Sequence, residues 1–380
     1  MLRLTDVVRQ HGPAYLERHR SSIMPSHVAA VQAILRCRTP AMGGHLATCE
    51  QCGTEHLLFH SCRNRACPQC GYDATTKWLD RQRALLLPVP YFQVVFTLPD
   101  PLRRLVRSNQ KLLLPVLFQT AFESLSALCA DPHFLGATQI AALTVLHTWT
   151  RTLEWHPHLH MLVPAGGLAP DGKTWLSVPV RKKRFIVPVA ALAVGFRGRF
   201  LDRVRRLLPT ALLPQKLWVK PWVVFAKPAL QGPDKLLDYL GRYVHKTALS
   251  DHAILACDDS TVTFRYRDNR TQQRKAMTLD ANEFMRRLLQ HVPPKGFHRI
   301  RSFGLLHAAH RHTLLRLQLM LAPPPTVKPE ESTSPPRPKM RCRTCQKGSL
   351  VLGPRLSAPA CIAFMAALEL RATNGARAPP

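Results

Sequence analysis

Two hydrophobic periods organise this 380-residue chain. Over residues 1 to about 40 the apolar positions, among them Val7, Val8, Tyr15 and Leu16, fall on one face of a 3.6-residue repeat and predict helix. Residues 45–72 show little periodicity but hold five cysteines, the pattern of a small module stapled by metal. Thr75–Leu87, rich in Arg and Leu, predicts a helix stopped by Pro88 and Pro90, which cannot continue a helical hydrogen-bond ladder. Tyr91–Thr97 is aromatic and β-branched, hence a strand. Leu102–Cys129 reads as helix, and Ile140–Trp149 and His158–Val163 as antiparallel strands joined through Arg151–Pro157. Beyond them, Trp222–Ala226 and Ser260–Tyr266 predict strands, and Lys235–Lys246 and Ala281–Leu289 helices. From about residue 322 Pro, Ser and Lys dominate, which predicts a linker and a disordered C-terminal tail.

The fold class is therefore α+β, with an N-terminal helical and zinc-ribbon-like module over 1–90, an antiparallel-sheet domain flanked by helices over 91–320, and a Pro-rich linker and tail over 321–380. No internal repeat is visible.

Charge narrows the picture. Fifty-three Lys+Arg against 23 Asp+Glu give +30, a field that attracts nucleic acid, although a ribosomal or membrane-surface protein has similar bulk numbers. With 46% hydrophobic residues the chain is globular in composition, not disordered. No run of about 20 apolar residues stands out, so no membrane partner is expected. Met1–Asp6 lacks the basic-then-apolar order of a secretory signal. Eleven cysteines, an odd count clustered in CxxC pairs, favour reduced thiols and zinc in the cytoplasm over disulfides.

Cys49-Glu-Gln-Cys52 and Cys67-Pro-Gln-Cys70 are two such knuckles, and together they complete a tetrahedral structural zinc site. Gly53 and Gly71 follow them where a left-handed backbone is often needed. Cys62 is a fifth candidate, as a substitute or supporting group, and His45, His56 and His60 lie near enough to compete. Arg63, Arg65 and Lys77 suggest that the module touches DNA, although a solvated surface would look the same. Cys342-Arg-Thr-Cys345 in the tail is half a zinc site, with no role assigned.

The segment Glu154-Trp-His-Pro-His-Leu-His160 carries the most chemistry. On a strand, His158 and His160 share a face while Leu159 points into the core, so two imidazoles can bind one divalent cation. His147, on the expected hairpin partner, is the first choice for a third ligand and Glu154 the second; His156 joins them only if the strand runs back through Pro157. An imidazole site with open positions acting on phosphate oxygens would use Mg²⁺ or Mn²⁺. Tyr239 and Tyr243 are four apart on a predicted helix, so their phenols share a face, followed at once by His245 and Lys246. Packing on a sheet would give the same stripe; phenols beside a metal-held phosphate would be nucleophiles.

These residues resemble a known family. His158-Leu-His160 ahead of Tyr239-Leu-Gly-Arg-Tyr243 resembles the HUH endonucleases, and among them the two-tyrosine rolling-circle transposases of bacterial insertion sequences. Ser61–Cys70 is similar to that family's zinc-binding segment, Val145–Trp149 with His156–His160 to its metal-binding hairpin, and Val262–Tyr266, Glu283–Arg287 and His291–Arg301 to its late block. Ala66 departs from the pattern, standing where family members often carry His. The resemblance implies a central histidine strand with the tyrosine helix packed beside it. It also implies catalysis by Tyr239, Tyr243 and Lys246, 5′-phosphotyrosine intermediates, single-stranded DNA ends as substrate, and action on the bacterial nucleoid. Arg242, Lys295, Arg299 and Arg301 are expected to grip DNA phosphates along with Arg63 and Arg65. The Arg181–Arg184 cluster reads as a DNA-facing loop, and Trp149, Trp155 and Phe297 as possible stacking platforms. A replication initiator or relaxase would share the chemistry, and a non-catalytic zinc-containing DNA-binding protein would share only the cysteines.

Overall fold

A computed structural model describes residues 2–178, 186–229, 234–235, 237–238, 240–241, 248–268, 270–322 and 340–375, with backbone alone at 71–74 and 369–375. In chain order, α1 (Leu4–Arg18) and α2 (Pro25–Arg36) precede the hairpin β1 (Gly44–Cys49) and β2 (Glu55–Phe59), followed by α3 (Gly71–Arg83) and β3 (Tyr91–Thr97). Next come α4 (Asp100–Ser108), α5 (Gln110–Ala130), β4 (Ala141–Trp149), β5 (Trp155–Pro164), the short pair β6 (Gly166–Leu168) and β7 (Trp175–Ser177), α6 (Val189–Leu207), α7 (Lys216–Val219) and β8 (Val224–Pro228). The remainder is β9 (Ile254–Cys257), β10 (Thr261–Arg267), β11 (Arg274–Asp280), α8 (Ala281–Leu289), β12 (Ile300–Gly304), α9 (Arg311–Leu321), β13 (Leu350–Leu356) and α10 (Ala358–Gly375).

These elements form two compact units, one of Arg3–Gly71 with Pro325–Pro380 and one of Met1–Leu2 with Tyr72–Pro324. The expected boundary at residue 90 moves to 71 because α3 spends Trp78 and Leu79 in the apolar core of the second unit. The expected boundary at 320 falls at 324, but the segment after it does not stand apart. Residues 323–339, where the prolines concentrate, lie outside the described residues; residues 340–375 fold back onto the N-terminal module. There β13 adds to the hairpin in the order β13-β1-β2, pairing Cys49 with Leu350 and Gly44 with Leu356. In the same unit α1 and α2 pack through Val7, Val8, Val31 and Ile34. They approach closely at Gly12, where a β-carbon would lie 2.9 Å from Val31 Cγ1.

The second unit is built on a five-stranded antiparallel sheet, β12-β4-β5-β3-β8, with β5 at its centre. Side chains alternate between its faces. Phe92, Val94, Phe96, Leu146, Leu159, Met161 and Val163 form one face, filled against Leu117 and Phe118 of α5 and Phe196 and Phe200 of α6. Tyr91, Leu143, Val145 and Leu162 form the other, packed with Trp78, Leu237, Leu240, Leu314 and Leu317. A separate three-stranded sheet, β11-β10-β9, leans on α8, with the Phe264 and Phe284 rings 5.9 Å apart.

Three expectations shift in detail. The predicted helix 102–129 is two helices, because Asn109 (φ −123°, ψ 39°) breaks the run while its side-chain amide donates to Leu105 O. Within it, Gln110–Ala130 is long and apolar enough to cross a membrane, against the expectation that no such stretch exists; more than half of it is buried in the core just described. The second hairpin strand starts at Trp155, not His158, because β5 runs straight through Pro157. The register of β4 against β5 slips between His147 and Trp149, a bulge on β5 that admits a proline without a ladder N–H.

At the end of β12, Gly304 has φ +56°, and a β-carbon there would fall on the carbonyl of Ile140. Gly304→Ala is expected to destabilise this unit by more than about 2 kcal/mol, read as a lower urea midpoint with the slope unchanged.

A histidine triad and two thiolate quartets

Antiparallel register puts His147 directly across from His158, so their side chains leave the same sheet face, and His160 lies one pleat along. The ligand nitrogens of these three histidines lie within 4.8 Å of one another. Their ring centroids are 4.2 to 5.2 Å apart. They continue the row of Leu143, Val145 and Leu162, which puts them on the face shared with Leu237 and Leu240. Their orientation is set by neighbours. His158 Nδ1–H donates to His156 O at 2.8 Å, which leaves its Nε2 lone pair available. Gln93 lies with its amide nitrogen 3.0 Å from His160 Nδ1. Trp149 stacks on His147, ring centroids 5.4 Å apart and 14° from parallel.

Burial keeps all three neutral. Desolvation pushes His147 well below its ordinary range, helped by the charges of His160, His158 and Arg299. It lowers His158 too, and brings His160 to about 3 with help from His158 and Lys227. No carboxylate joins the cluster among the described residues. Three neutral imidazoles with no competing acid form a donor set that fits a divalent cation with open positions. Glu154, the runner-up ligand, does not belong to it: it sits exposed in the 150–154 turn, its N–H donating to Thr150 Oγ1. The strand does carry His156, but beyond the bulge; its ring is 5.3 Å from that of His158 and it stays outside the triad. Desolvation, with Arg103 nearby, takes it to about 4.

The cysteines divide differently from expectation. Cys49 and Cys52 do not share a site with Cys67 and Cys70. Cys37, which caps α2, joins Cys62, Cys67 and Cys70 in one quartet, with Sγ–Sγ distances of 3.4 Å from Cys37 to Cys70 and 3.6 Å from Cys62 to Cys70. Cys62 is thus a full member of this quartet. The Cys67 thiol donates to it, pulling Cys62 down to about 5 and holding Cys67 far above the ordinary thiol range. Cys49 and Cys52, at the far end of the β1–β2 hairpin, lie instead with Cys342 and Cys345. All eight are free cysteines. Cys37 was missed because it has no CxxC partner in sequence. The tail pair's partners lie 290 and 296 positions away, beyond the reach of any spacing motif. Neither Ala66, whose N–H donates to Asn64 Oδ1, nor any of His45, His56 and His60 is a member.

The expected DNA contacts fare unevenly. Arg63, Arg65 and Lys295 are exposed. Arg299 is buried, and Arg301 lies over the rings of Phe118 and Phe297 at 4.7 and 5.6 Å, so neither is a free surface cation. Trp155 and Phe297 belong to the core and Trp149 serves His147, which leaves none of the three as an open stacking platform. Lys227, exposed on β8 across from Gln93 and close enough to depress His160, is a cation that sequence reasoning did not pick out. Tyr239, Arg242, Tyr243, His245, Lys246 and the Arg181–Arg184 cluster lie outside the described residues. Their neighbours do not: Asp234, Lys235, Leu237, Asp238, Leu240 and Gly241 are helical. Arg83 of α3 pairs with Asp238 at 2.6 Å and Asp234 at 3.8 Å, and Gly241 abuts Leu79.

A family model described as "Transposase zinc-binding domain" matches residues 7–98, and one described as "Putative transposase" matches residues 141–313. "Putative transposase y4qJ" of Sinorhizobium fredii is 37% identical over 378 residues, covering 92% of this chain and 94% of that protein. "Transposase for insertion sequence element IS801" of Pseudomonas savastanoi pv. phaseolicola is 32% identical over 292 residues, covering 73% and 70%. No solved structure matches.

Neutral buried histidines make stability depend on acid. His291, fully enclosed and donating from Nε2 to Leu153 O, is lowered to about 3 by desolvation, like the triad. With folded values below the unfolded 6.5, the unfolded chain binds more protons between about pH 3 and 6.5, so stability should be level above 6.5 and fall below it, by up to about 1.4 kcal/mol per pH unit per histidine. His291→Gln should flatten that acid limb by up to one proton in urea titrations at pH 5 and 7.5; an identical limb would contradict the assignment.

Proposed function

This chain belongs to the family of zinc-domain transposases of insertion sequences that includes the IS801 protein, and from that footing we propose that it nicks and rejoins single-stranded DNA at its element's ends through covalent tyrosyl intermediates. In this reading His147, His158 and His160 hold a catalytic Mg²⁺ or Mn²⁺, and Tyr239 and Tyr243 are the nucleophiles. The cation, when bound, would polarise a non-bridging oxygen of the scissile phosphodiester. Mg²⁺ prefers oxygen donors, which phosphate and water would supply; Mn²⁺ accepts imidazole readily.

The remaining work falls to the chain. The contact of His158 Nδ1 with the His156 carbonyl and of His160 Nδ1 with the Gln93 amide would leave their Nε2 atoms to bind the cation. A phenolate oxygen of Tyr239 or Tyr243 attacks phosphorus, the P–O3′ bond breaks, and the 3′-oxygen leaves as a hydroxyl after taking up a proton. The new phosphotyrosine conserves the bond for rejoining. Lys246 and Arg242, on the same stretch, supply positive charge that favours phenolate over phenol. Two nucleophiles allow two strand transfers in a rolling-circle sequence without an intervening reset. The Cys37, Cys62, Cys67, Cys70 quartet, within the span of the zinc-domain match, serves as structural zinc. The site of action is the bacterial cytoplasm, on nucleoid DNA.

One observation carries the reading. Leu237 and Leu240, which bracket position 239, share an apolar cluster with Leu143, Val145 and Leu162, on the sheet face that bears the three histidines. Arg83 pairs with Asp238 and Leu79 abuts Gly241, which ties the described part of that helical segment to the same unit.

The test incubates purified protein with labelled single-stranded DNA from its own element ends and Mn²⁺ or Mg²⁺, then resolves denatured protein. Wild type is expected to give a protein–DNA adduct and Tyr239→Phe/Tyr243→Phe none. His158→Ala/His160→Ala should lose more than the roughly 100-fold that removal of an outer-shell partner can cost. An adduct retained by the double-phenylalanine variant rejects the nucleophile assignment. Gln93→Leu should weaken Mn²⁺ binding by about 10- to 100-fold, read by electron paramagnetic resonance of free Mn²⁺.

A further inference from the structure

The two quartets are not equivalent, because only one lies wholly within a matched family segment. Residues 342 and 345 fall outside both 7–98 and 141–313. We propose that Cys49, Cys52, Cys342 and Cys345 form a second structural zinc site that clasps the C-terminal segment to the N-terminal hairpin, completing a zinc ribbon from the two ends of the chain.

Geometry carries it. Cys49 Sγ lies 3.7 Å from Cys345 Sγ, and Cys52 Sγ 3.7 Å from Cys342 Sγ. A tetrahedron with Zn–S bonds of about 2.3 Å has edges of about 3.8 Å, whereas a disulfide would need about 2.05 Å. Each CxxC forms a knuckle of the same design. The residue after the second cysteine is left-handed in both, Gly53 at φ +68° and Gln346 at φ +56°. A backbone amide points at a sulfur in each, Cys52 N–H to Cys49 Sγ at 3.5 Å and Gly348 N–H to Cys345 Sγ at 3.3 Å. Such donors stabilise thiolate. Gly348 is itself part of the design, since a β-carbon there would come within 2.5 Å of Cys49 Sγ. His56 Nε2, 3.2 Å from Cys342 Sγ, offers an outer-shell donor.

The clasp has mechanical work to do. β13 is held by ladder hydrogen bonds but buries little: Val351 and Leu352 are 56% and 57% exposed. So little apolar burial leaves the strand dependent on a strong local bond to stay in place. Four metal–sulfur bonds at the base of the strand supply it, and β13 then leads into α10, which packs on the short 3₁₀ turn Pro40–Met42 and buries Cys361.

The experiment titrates full-length protein with a mercurial reagent, which releases zinc from thiolates and not from histidines, and counts the zinc with an indicator dye. Wild type is expected to release two zinc ions per chain, Cys342→Ser/Cys345→Ser one, and Cys345→His, which keeps a ligand, two on acid digestion. The serine pair should also make 340–375 the first segment lost to trypsin, with the fragment masses read by mass spectrometry. A single zinc in wild type, or two in the serine pair, overturns the proposal. Should the serine pair fail to fold, the wild-type count and Cys345→His still decide.

Discussion

Antiparallel pairing of β4 with β5 holds residue 147 opposite residue 158, and the chemistry of the large unit depends on that one register. A slip of a single residue would turn Leu159 and Met161 to the face the imidazoles now occupy and bury the imidazoles among phenylalanines. The apolar alternation on both faces resists such a slip. Phe92, Phe96, Phe118, Phe196 and Phe200 are fully buried on one side, and Tyr91, Leu143 and Leu162 pack on the other. The same packing removes water from the histidines, which is why they stay neutral and keep lone pairs for a cation. Core and site are therefore one construction.

The tolerance of β5 for Pro157 follows from the same economy. A bulge at the open end of the ladder absorbs the missing N–H without disturbing the pairs at 158, 160 and 162. It also dephases His156 from the triad. That detail separates three convergent histidines from four in sequence proximity, and leaves Trp149 and Gln93 to orient the rings.

The N-terminal unit solves a different problem. Its hairpin and added strand bury little apolar surface, and two cysteine quartets stand beside the small core of α1 and α2. One quartet joins the end of α2 to the loop ahead of α3; the other joins the hairpin turn to the tail. In the first, Cys37 has no CxxC partner to mark it; in the second, the two CxxC pairs that meet are some 290 positions apart in sequence.

Much was legible in the residues alone. The alternation in Tyr91–Thr97 and His158–Val163 specified strands and their buried faces, CxxC spacing specified thiolate ligation, and the net charge specified a polyanionic partner. The motif around Tyr239 and Tyr243 pointed to the family. These are local signals, set by periodicity and by the chemistry of neighbouring side chains. Tertiary structure decided which cysteines meet, because ligand choice depends on where hairpins and helix ends come together and not on spacing. By strand register it brought His147, and not Glu154, beside His158 and His160. It also retired Arg299, Arg301, Trp155 and Phe297 from the expected DNA surface, since only a folded core can show that a charge or an aromatic ring has already been used for packing.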